Sequence, residues 1–361
     1  MKAAILREVG KPLSIEDIEI STPGPREVLI QTSAAGVCHS DLHFVEGSYP
    51  HPLPTVLGHE SAGIVQEVGS DVHYVEKGDH VITCLSAFCG HCEFCLTGRM
   101  SLCLSPDVRR PAGDPPRLSK QGEPVHQFLN LSSYAEQMLV HEHALVKIRK
   151  DMPLDRAALI GCGVTTGVGA VHNTAGVEPG KTVAVIGCGG VGLACINGAA
   201  IAGAGKVIAV DMIASKLELA TTFGATHLVN AAEGDPVEQI REITDGGVDY
   251  SFEAIGLKLT TEQAFRMLKR GGTATVIGMI PVGTMIELHG VDFLSEKKIQ
   301  GCAMGSNHFR IDMPNYIEMY LAGKLHLDQM ISQTLPLARV NDALESMKRG
   351  EVARTVLTFG D

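Results

Sequence analysis

Residues Val183–Gly192 read VAVIGCGGVG, an apolar strand that runs directly into the pattern G-x-G-x-x-G at Gly187, Gly189 and Gly192. A small-residue run that favours a helix follows, and Asp211 ends the next apolar strand nineteen residues after Gly192. In this pattern Gly187 permits the turn, Gly189 lets the backbone approach a pyrophosphate, and Gly192 lets helix and strand pack closely. The stretch therefore predicts a dinucleotide-binding turn at the edge of a parallel sheet.

The residues around this turn favour NAD over NADP. We expect the cofactor contacts to include Gly190 and Val191, at the helix N-terminus whose partial positive charge suits a phosphate. Asp211 is predicted to accept hydrogen bonds from the ribose hydroxyls and to repel a 2′-phosphate. Lys216 is predicted to lie near the same ribose. Alternatively, Asp211 is an ordinary residue at the end of a strand, and Lys216 is a solvated helix lysine.

The rest of the chain predicts two domains in an α/β protein. Short apolar strands alternate with helical stretches after Asp151, which predicts a doubly wound parallel sheet of the Rossmann type over residues 164–303. Residues 1–163 and 304–361 read as a β-rich domain made from both chain ends. The polar, Pro- and Arg-rich stretch between Cys103 and Leu131 is predicted to be a long surface loop.

Composition limits the possible partners and the cellular location. A formal net charge of −11 argues against nucleic acid and against an anionic membrane surface. The uncharged stretch Val183–Gly205 is long enough to span a membrane, but its clustered glycines predict strand, turn and helix instead. We expect no targeting signal at the N-terminus, and ten cysteines without a secretion signal argue against disulfides. We expect a cytoplasmic protein without a membrane span.

Four cysteines form a compact metal-binding pattern. Cys89, Cys92, Cys95 and Cys103 follow the spacing C-x2-C-x2-C-x7-C. Four thiolates at this spacing fit a closed tetrahedral zinc site, which leaves no position for substrate and is therefore structural. An iron–sulfur cluster is the alternative, although the fourth cysteine is distant for that pattern and no proline follows it.

A second set of residues predicts a zinc site with an open position. Cys38, His59 and Cys162 supply two thiolates and one imidazole, the ligand set of a catalytic zinc in alcohol dehydrogenase. Such a zinc acts as a Lewis acid that lowers the pKa of an alcohol. Glu60 is adjacent to the histidine and is predicted to approach the metal during ligand exchange. Asp41 is predicted to orient His59 by accepting its other ring proton.

Together these motifs resemble the zinc-containing medium-chain alcohol dehydrogenases over essentially the whole chain, from MKAAIL to ARTVLTF. Within that family the chain looks like the branch that contains animal liver alcohol dehydrogenase and glutathione-dependent formaldehyde dehydrogenase. The resemblance implies a GroES-like catalytic domain, a Rossmann domain, two Zn²⁺ ions per subunit, NAD, and an alcohol or aldehyde substrate. It also implies a proton relay through Ser40 and His43. Further implied positions are His39 and Arg354 at the pyrophosphate and Thr166 near the nicotinamide.

Five positions are predicted to line the substrate pocket. Leu85 stands where the liver enzymes place an aromatic side chain, and Ala303 where they have a larger aliphatic one. Phe128, Leu129 and Met279 are retained as large apolar candidates. A wider pocket weakens contact with short alcohols, at about 0.8 kcal/mol per buried methylene. We therefore expect primary or secondary alcohols that are longer-chain or aryl to be preferred over ethanol.

Two alternative functions remain open at this point. The first is glutathione-dependent formaldehyde dehydrogenase, although the segment expected to be acidic there, FVEGSYPHP, contains Glu46 alone. Arg109 and Arg110 are available for a substrate carboxylate, or are solvated. The second is a zinc- and NAD-binding protein without turnover, which the presence of all ligand and relay residues disfavours.

The predicted quaternary structure is a homodimer, with a tetramer as the alternative. The segment Leu104–Asn130 resembles an insertion found in dimeric family members and missing from many tetrameric microbial ones. Pairing in this family runs through the cofactor domain, so the resemblance implies an interface strand around Gly301–Gly305.

Overall fold

The computed structural model describes residues 1–111 and 113–360, which form two compact units. The first unit comprises Met1–Cys162, His308–Glu318 and Ile331–Asp361, and the second comprises Gly163–Asn307 and Met319–Met330. The domain limits proposed above place residue 163, residues 304–307 and the segment 319–330 with the first domain, whereas all three group with the second unit here. The segment returns to the second unit because the Asn197 side chain donates to the Lys324 carbonyl and accepts from the His326 backbone amide.

The strands are β1 Lys2–Leu6, β2 Ser14–Asp17, β3 Glu19–Ile20, β4 Glu27–Val37, β5 Thr55–Val56, β6 Ser61–Val68, β7 His80–Thr83, β8 Leu118–Lys120, β9 Glu123–Gln127, β10 Gln137–His141, β11 Leu145–Ile148, β12 Thr182–Ile186, β13 Lys206–Asp211, β14 His227–Asn230, β15 Val248–Glu253, β16 Leu268–Val276, β17 Lys298–Gly301, β18 Ile331–Pro336 and β19 Arg354–Thr358.

The α-helices are α1 His39–Val45, α2 Glu93–Leu96, α3 Leu154–Leu159, α4 Thr165–Gly169, α5 Gly190–Ile201, α6 Ala214–Thr222, α7 Pro236–Thr244, α8 Lys258–Arg266, α9 Phe309–Leu321 and α10 Val340–Lys348. Short 3₁₀ turns cover Met100–Leu102, Pro106–Val108, Phe128–Asn130, Glu142–Ala144, Gly290–Ser295, Met304–Ser306, Asp328–Met330 and Leu337–Arg339, and π-helical turns cover Ile160–Val164 and Ala170–Ala175.

The first unit contains two mostly antiparallel sheets. One has the strand order β2-β1-β5-β9-β8-β3, and the other has the order β11-β7-β6-β4-β19-β18, with β10 also paired to β4. Along β4 the side chains of Val28, Ile30, Thr32 and Ala34 are buried, while those of Leu29, Gln31 and Ser33 are more exposed, the period of two expected of a strand with one core face. Strand β19 pairs with β4, so segments from near both chain ends share one sheet.

The second unit is the predicted doubly wound domain. Its six strands are parallel in the order β14-β13-β12-β15-β16-β17, with the direction of winding reversing between β12 and β15. Val183, Ala184, Val185 and Ile186 of β12 are all buried, as expected of a strand covered on both faces. Ligands of such sheets bind beyond the carboxyl ends of the strands at this reversal, which is where the glycine turn follows β12. The α/β fold class is confirmed.

The uncharged stretch Val183–Gly205 forms a strand, a glycine turn and helix α5, as predicted. One continuous helical segment in the described chain, Leu154–Ala175, is long and apolar enough to cross a membrane. Most of it is buried inside the protein, as in the core helix of a folded domain. Length and composition therefore give only weak evidence for a span.

The stretch between Cys103 and Leu131 is more ordered than predicted, and its description as a loop was wrong in part. It contains β8 and β9, which pair with each other around a turn at Gln121 and join β3 and β5. Arg110 and Arg117 anchor the segment because both donate hydrogen bonds to the buried carboxylate of Glu27. These contacts join residues more than eighty positions apart, so local composition does not reveal them.

Candidate active site and metal centres

The first candidate metal centre unites three buried side chains of the first unit. The ligand atoms of Cys38, His59 and Cys162 all lie within 4.8 Å of one another. Both cysteines are free thiols, so no disulfide explains their approach. Ligands of a tetrahedral zinc at about 2.0–2.3 Å lie about 3.5–3.8 Å apart, within this limit. The donor set therefore fits zinc with one position left for a further ligand.

Local backbone structure brings these ligands together. Cys38 leaves the end of β4 and caps α1, and His59 follows Gly58, which has a φ of +89°. A Cβ at Gly58 would lie 2.5 Å from the Tyr134 ring, so only glycine fits this turn. Cys162 lies in the π-helical turn that follows α3. π-Helical turns are rare and occur often at functional sites.

Asp41 holds the centre through four hydrogen bonds. Its Oδ1 accepts from the His59 ring at Nδ1 over 3.1 Å and from the Gly58 backbone over 3.0 Å. Its Oδ2 accepts from the Tyr134 hydroxyl over 2.8 Å and from the Cys38 backbone over 3.3 Å. With Nδ1 bonded to the carboxylate, Nε2 is the ring nitrogen left for a metal. The structure thus places Asp41 where an orienting carboxylate is needed.

Tyr134 is a site residue that the sequence analysis missed. It is fully buried, and burial together with the neighbouring Asp41 charge raises the pKa of its hydroxyl well above the usual value. The hydroxyl therefore stays protonated and donates to Asp41. Ninety-three residues separate the two partners, and no motif in the sequence connects them.

Glu60 and Arg354 lie beside the same centre. Both are buried, and Oε2 of Glu60 is 3.7 Å from Nη2 of Arg354. Burial opposes the charge of Arg354, but the neighbouring Glu60 and Cys38 charges outweigh it and raise the pKa of the guanidinium. A cation here offsets the negative charge of a Cys38 thiolate. The hydrogen bond from Cys162 lowers the pKa of Cys38 well below its ordinary value, which favours a thiolate at that position.

Helix α1 carries Ser40 and His43, which are implied for the proton relay, and His39, which is implied for the pyrophosphate. Ser40 is half-buried, with its Oγ 3.7 Å from the Cys38 sulfur. The His43 ring is half-buried and lies 5.6 Å from the exposed ring of His39, measured between ring centroids. Burial lowers the pKa of His43, opposed by the charges of Glu46 and Cys38. His43 is therefore neutral near pH 7 and able to accept a proton.

The second candidate metal centre is the four-cysteine lobe. Neighbouring sulfurs lie 3.5 Å apart for Cys92 and Cys95, 3.8 Å for Cys92 and Cys103, and 3.9 Å for Cys89 and Cys95. Four thiolates around one zinc at about 2.3 Å lie about 3.8 Å apart. A polynuclear iron–sulfur cluster places iron and sulfide between its thiolates and holds them further apart. The observed spacing favours a single ion over the cluster alternative.

The glycine turn of the second unit fits a dinucleotide. Gly187 has a φ of +95°, and a Cβ at Gly192 would lie 1.7 Å from the Gly187 carbonyl oxygen, so the turn excludes side chains at both positions. A Cβ at Gly189 would meet nothing within 4 Å, which leaves open space where a pyrophosphate approaches. Gly190 and Val191 form the first turn of α5.

Asp211 lies at the end of β13 beside this turn. Its carboxylate accepts backbone hydrogen bonds from Cys188 over 2.8 Å, Met212 over 2.8 Å and Ile213 over 3.0 Å. These bonds fix the carboxylate at the carboxyl edge of the sheet, where a ribose is expected. Lys216 is half-buried in the first turn of α6. Thr166 lies in α4 of the same unit, with its hydroxyl 3.3 Å from the Met304 sulfur.

The five predicted pocket residues fall in both units. Leu85, Phe128 and Leu129 belong to the first unit, where Phe128 is fully buried and the other two are half-buried. Met279 and Ala303 belong to the second unit and are half-buried. The pocket that they would form together remains a prediction.

Sequence reasoning missed a group of aromatic side chains around α1. Phe44, Tyr49 and His51 have ring contacts with one another or with Phe128. Gly47, two residues after α1 ends at Val45, was the available signal, because a glycine after a short helix predicts a reversal that folds the next residues back onto it.

Family models match both parts of the chain. The model described as alcohol dehydrogenase GroES-like domain matches residues 24–150, and the model described as zinc-binding dehydrogenase matches residues 190–322. The chain is 40% identical to an S-(hydroxymethyl)glutathione dehydrogenase of Synechocystis sp., with 99% of each protein covered. It is 38% identical to an alcohol dehydrogenase class-3 of Pisum sativum, covering 100% of this chain and 98% of that protein.

Two solved structures have the same fold over the full length. An alcohol dehydrogenase zinc-binding domain protein from Burkholderia ambifaria superposes with a TM-score of 0.95 at 37% identity, covering 100% of this chain and 99% of that one. A benzyl alcohol dehydrogenase from Acinetobacter calcoaceticus gives a TM-score of 0.92 at 34% identity, with 99% of each chain covered.

Proposed function

This chain belongs to the zinc-dependent medium-chain alcohol dehydrogenases, and we propose that it transfers hydride between NAD and primary or secondary alcohols, with longer-chain or aryl alcohols preferred. The observation that carries the proposal is the buried set of Cys38, His59 and Cys162. Their ligand atoms lie within 4.8 Å of one another in an arrangement held by Asp41. Two thiolates and one imidazole are the donors of a catalytic zinc, not of a closed structural one.

The ligand side chains and their neighbours prepare the centre electrostatically. Cys38, His59 and Cys162 would hold a zinc ion, which would supply a Lewis acid that lowers the pKa of an alcohol. Cys38 and Cys162 offset the positive charge of the metal, and Asp41 fixes the ring of His59 in one orientation. Glu60 and Arg354 add one charge of each sign within the buried surroundings. The protein thus supplies charges and hydrogen bonds around the ligands before substrate binds.

Ser40 and His43 are proposed to carry the alcohol proton away from the centre. Ser40 Oγ lies beside the Cys38 sulfur, and His43 follows on the next turn of α1. Because burial holds the pKa of His43 below its usual value, its ring accepts a proton at neutral pH and returns it to solvent. Reduction of an aldehyde uses the same groups in reverse.

The second unit binds the nucleotide. NAD supplies the hydride acceptor, and the protein positions it. Gly189 leaves room for the pyrophosphate and α5 directs its N-terminal amides there, while Asp211 is proposed to bind the ribose and exclude a 2′-phosphate. His39 and Arg354 at the pyrophosphate, Lys216 at the ribose and Thr166 at the nicotinamide complete the proposed contacts.

The side chains at the predicted pocket positions and one structural relative support larger substrates. Leu85 and Ala303 replace bulkier side chains of the liver enzymes, and Phe128, Leu129 and Met279 supply apolar surface. A structural relative is described as a benzyl alcohol dehydrogenase. We therefore propose that the ethanol activity of this enzyme is lower than its activity on hexanol or benzyl alcohol.

The glutathione adduct of formaldehyde is the alternative substrate. The similarity to S-(hydroxymethyl)glutathione dehydrogenase and to alcohol dehydrogenase class-3 favours it. Two contacts within the first unit count against it. Glu46 is paired with Lys348 at 2.7 Å, and Arg110 is bonded to the Glu27 carboxylate and to Ser21. The Arg110 guanidinium is then not available for a substrate carboxylate, which leaves exposed Arg109 of these two arginines, and Glu46 is held in a surface ion pair.

We propose that the protein is a homodimer. Within the described residues β17 pairs with β16 on one side only, and exposed Val282, Met285 and Leu294 lie in the preceding segment of the same unit. An unpaired edge beside apolar surface is a common site of subunit pairing. Sedimentation at equilibrium tests this: twice the 38.3 kDa chain mass supports the dimer, and four times that mass supports the tetramer instead.

A cytoplasmic location is proposed from the cysteines. All ten are free thiols in the structure, which suits a reducing compartment. The substrate is a small molecule, and the net charge of −11 gives no support for nucleic acid or membrane partners.

The proposal is tested by following NADH formation with NAD and separate alcohols. Benzyl alcohol and hexanol should be oxidised more efficiently than ethanol, and activity should be much lower with NADP. Turnover confined to formaldehyde mixed with glutathione would assign the alternative substrate. No turnover with any of these, from protein that contains two zinc ions per chain, would leave a binding protein without dehydrogenase activity.

A further inference from the structure

A cleft of about 490 Å³ lies in the second unit, away from the glycine turn. Its charged lining consists of four cations and one anion: Arg241, Lys269, Arg270, Lys297 and Asp292. The volume falls within the ordinary range for pockets that bind small molecules. The whole chain carries a net charge of −11, so four cations around one cleft are a local excess of positive charge. We call this cleft with its four cations the basic cleft.

The basic cleft lies at the amino edge of the parallel sheet. Gly246 comes just before β15, Lys269 lies at the start of β16, and Lys297 comes directly before β17. These strands run parallel, so their first residues meet at one edge of the sheet. The glycine turn that is proposed to bind NAD follows the last residue of β12, at the opposite edge. A ligand of the basic cleft therefore does not compete with the dinucleotide.

A bulge in β16 carries two of the cations. Between two successive pairs with β15, strand β16 advances five residues, from Leu268 to Thr273, while β15 advances two. The extra residues include Lys269 and Arg270, and Gly271 has a φ of +73° that permits the detour. Bulges redirect side chains and are over-represented beside functional sites. The backbone thus departs from the regular ladder at the point where these two cations leave it.

Lys297 is the buried cation of the cleft. Its side chain is 9% exposed, and among the described residues its Nζ has no hydrogen-bond acceptor. Oδ1 of Asp292 lies 3.8 Å from Nζ, and the ring centroid of Phe265 lies 5.8 Å from it. Burial of a lysine ammonium costs free energy unless the charge is paired and hydrogen-bonded. An anion in the cleft supplies the hydrogen bonds that Asp292 does not.

The other three cations are only partly neutralised. Arg241 pairs with Glu238 at 2.9 Å, and Lys269 pairs with Asp249 at 2.6 Å. Exposed ion pairs of this kind are weak, because water screens them. Arg270 is exposed, and its guanidinium has no hydrogen-bond or ion-pair partner in the part of the chain that the structure describes. Three carboxylates therefore face four cations, and the cleft keeps an excess of positive charge.

We propose that the basic cleft binds the phosphate group of a small molecule, with Lys297 and Arg270 as its main contacts. A phosphate group carries more than one negative charge near pH 7 and offers several acceptor oxygens, which suits an ammonium and a guanidinium together. Leu268, Val291 and Leu294 also line the cleft, so an apolar group attached to the phosphate finds contact surface there. This binding goes beyond the proposed dehydrogenase function and needs no turnover.

The experiment is a calorimetric titration of inorganic phosphate, and separately of phenyl phosphate, into the full-length enzyme at constant ionic strength. Saturating NADH is present throughout, so that the dinucleotide site is occupied. Both anions should bind, phenyl phosphate more tightly because its ring contacts the apolar lining. Arg270→Gln and Lys297→Gln should each weaken binding about 10-fold, because each removes a charge-assisted contact. Lys298→Gln removes the neighbouring exposed charge outside the cleft and should leave the affinity within about 2-fold of the wild type.

The variants separate a built site from general attraction to a charged surface. The Arg270 side chain has no contact to lose, so Arg270→Gln should fold even if Lys297→Gln does not, and thermal unfolding without phosphate checks this. Weaker binding in Arg270→Gln with unchanged binding in Lys298→Gln would support the proposal, whether or not the enzyme oxidises alcohols. Absence of binding to the wild type, or equal affinity in the wild type, Arg270→Gln and Lys298→Gln, would overturn it.

Discussion

Asp41 accepts a hydrogen bond from the ring of His59 at 3.1 Å while its other oxygen accepts from the Tyr134 hydroxyl at 2.8 Å. The carboxylate is fully buried, so it costs desolvation and is retained only because these bonds compensate. The consequence is that the metal-binding nitrogen of His59 is chosen by a residue that does not itself belong to the ligand set.

Asp41→Asn should weaken zinc binding at the Cys38 centre about 10- to 100-fold, because the amide lacks the charge that orients and strengthens the His59 ring. Zinc retained against a competing chelator measures this effect. Asp107→Asn, which alters an exposed carboxylate paired with His91, is the matched control. Equal zinc retention in the two variants would show that Asp41 has no role in holding the metal.

Cys95→Ser should reduce the zinc content from two ions per chain to one and lower the free energy of unfolding by several kcal/mol, since binding energy of a structural zinc is folding energy. Cys84→Ser is the control, because that thiol is buried elsewhere and burial raises its pKa to about 12. Metal analysis and thermal unfolding are the measurements. Two zinc ions retained in Cys95→Ser would argue against the four-cysteine site.

Asp211→Asn should raise the KM for NAD and raise the efficiency with NADP relative to NAD, each by roughly tenfold, a change of about 1.4 kcal/mol. The reason is that the amide no longer repels a 2′-phosphate and loses one backbone bond that holds the carboxylate. Steady-state kinetics with both cofactors measure the change. An unaltered preference for NAD would place the ribose away from Asp211.

His141 should make the protein less stable on mild acidification. Burial, followed by the charges of His143 and Arg26, lowers the pKa of His141 to about 3 in the folded protein, against about 6.5 when unfolded. Between pH 6.5 and pH 3 the unfolded state binds one proton more than the folded state. The contribution of neutral His141 to the free energy of unfolding is therefore present above pH 6.5 and is lost as pH falls towards 3. From pH 7 to pH 5 the loss is about 2 kcal/mol at most.

The comparison variant for this effect is His141→Asn. Nδ1 of His141 accepts from the His143 backbone amide over 3.0 Å, and the asparagine carbonyl oxygen can take the same place without titrating. Denaturant unfolding at pH 7 and pH 5 should show a smaller loss in the variant. A loss as large as that of the wild type would assign the acid sensitivity to other groups.

Motifs with fixed spacing made much of this structure predictable. The glycine turn at Gly187 predicted a parallel sheet because the strand, the turn and the helix of this motif are consecutive in the sequence. The four lobe cysteines fall within fifteen residues and needed no tertiary information. Cys38, His59 and Cys162 are far apart in the chain, and a resemblance to a family was needed to support their grouping.

Contacts between distant residues were not predictable in the same way. Tyr134 reaches Asp41 across ninety-three residues, and Arg117 reaches Glu27 across ninety. The second contact turns a polar, Pro-rich segment that reads as a loop into an anchored hairpin of β8 and β9. The ring contacts among Phe44, Tyr49 and Phe128 depend on the reversal at Gly47 and on the turn after Phe128, and neither sets a spacing that identifies the partner ring.

The most direct test of the central claim is NADH formation from benzyl alcohol by Cys162→Ser beside the wild type, with zinc counted in both. The wild type should contain two zinc ions per chain, lose activity when the catalytic zinc is chelated and regain it on zinc addition. Cys162→Ser should fold, keep the lobe zinc and lose nearly all activity. Full activity in Cys162→Ser, or in wild-type protein freed of the zinc at Cys38, would contradict a zinc-dependent alcohol dehydrogenase.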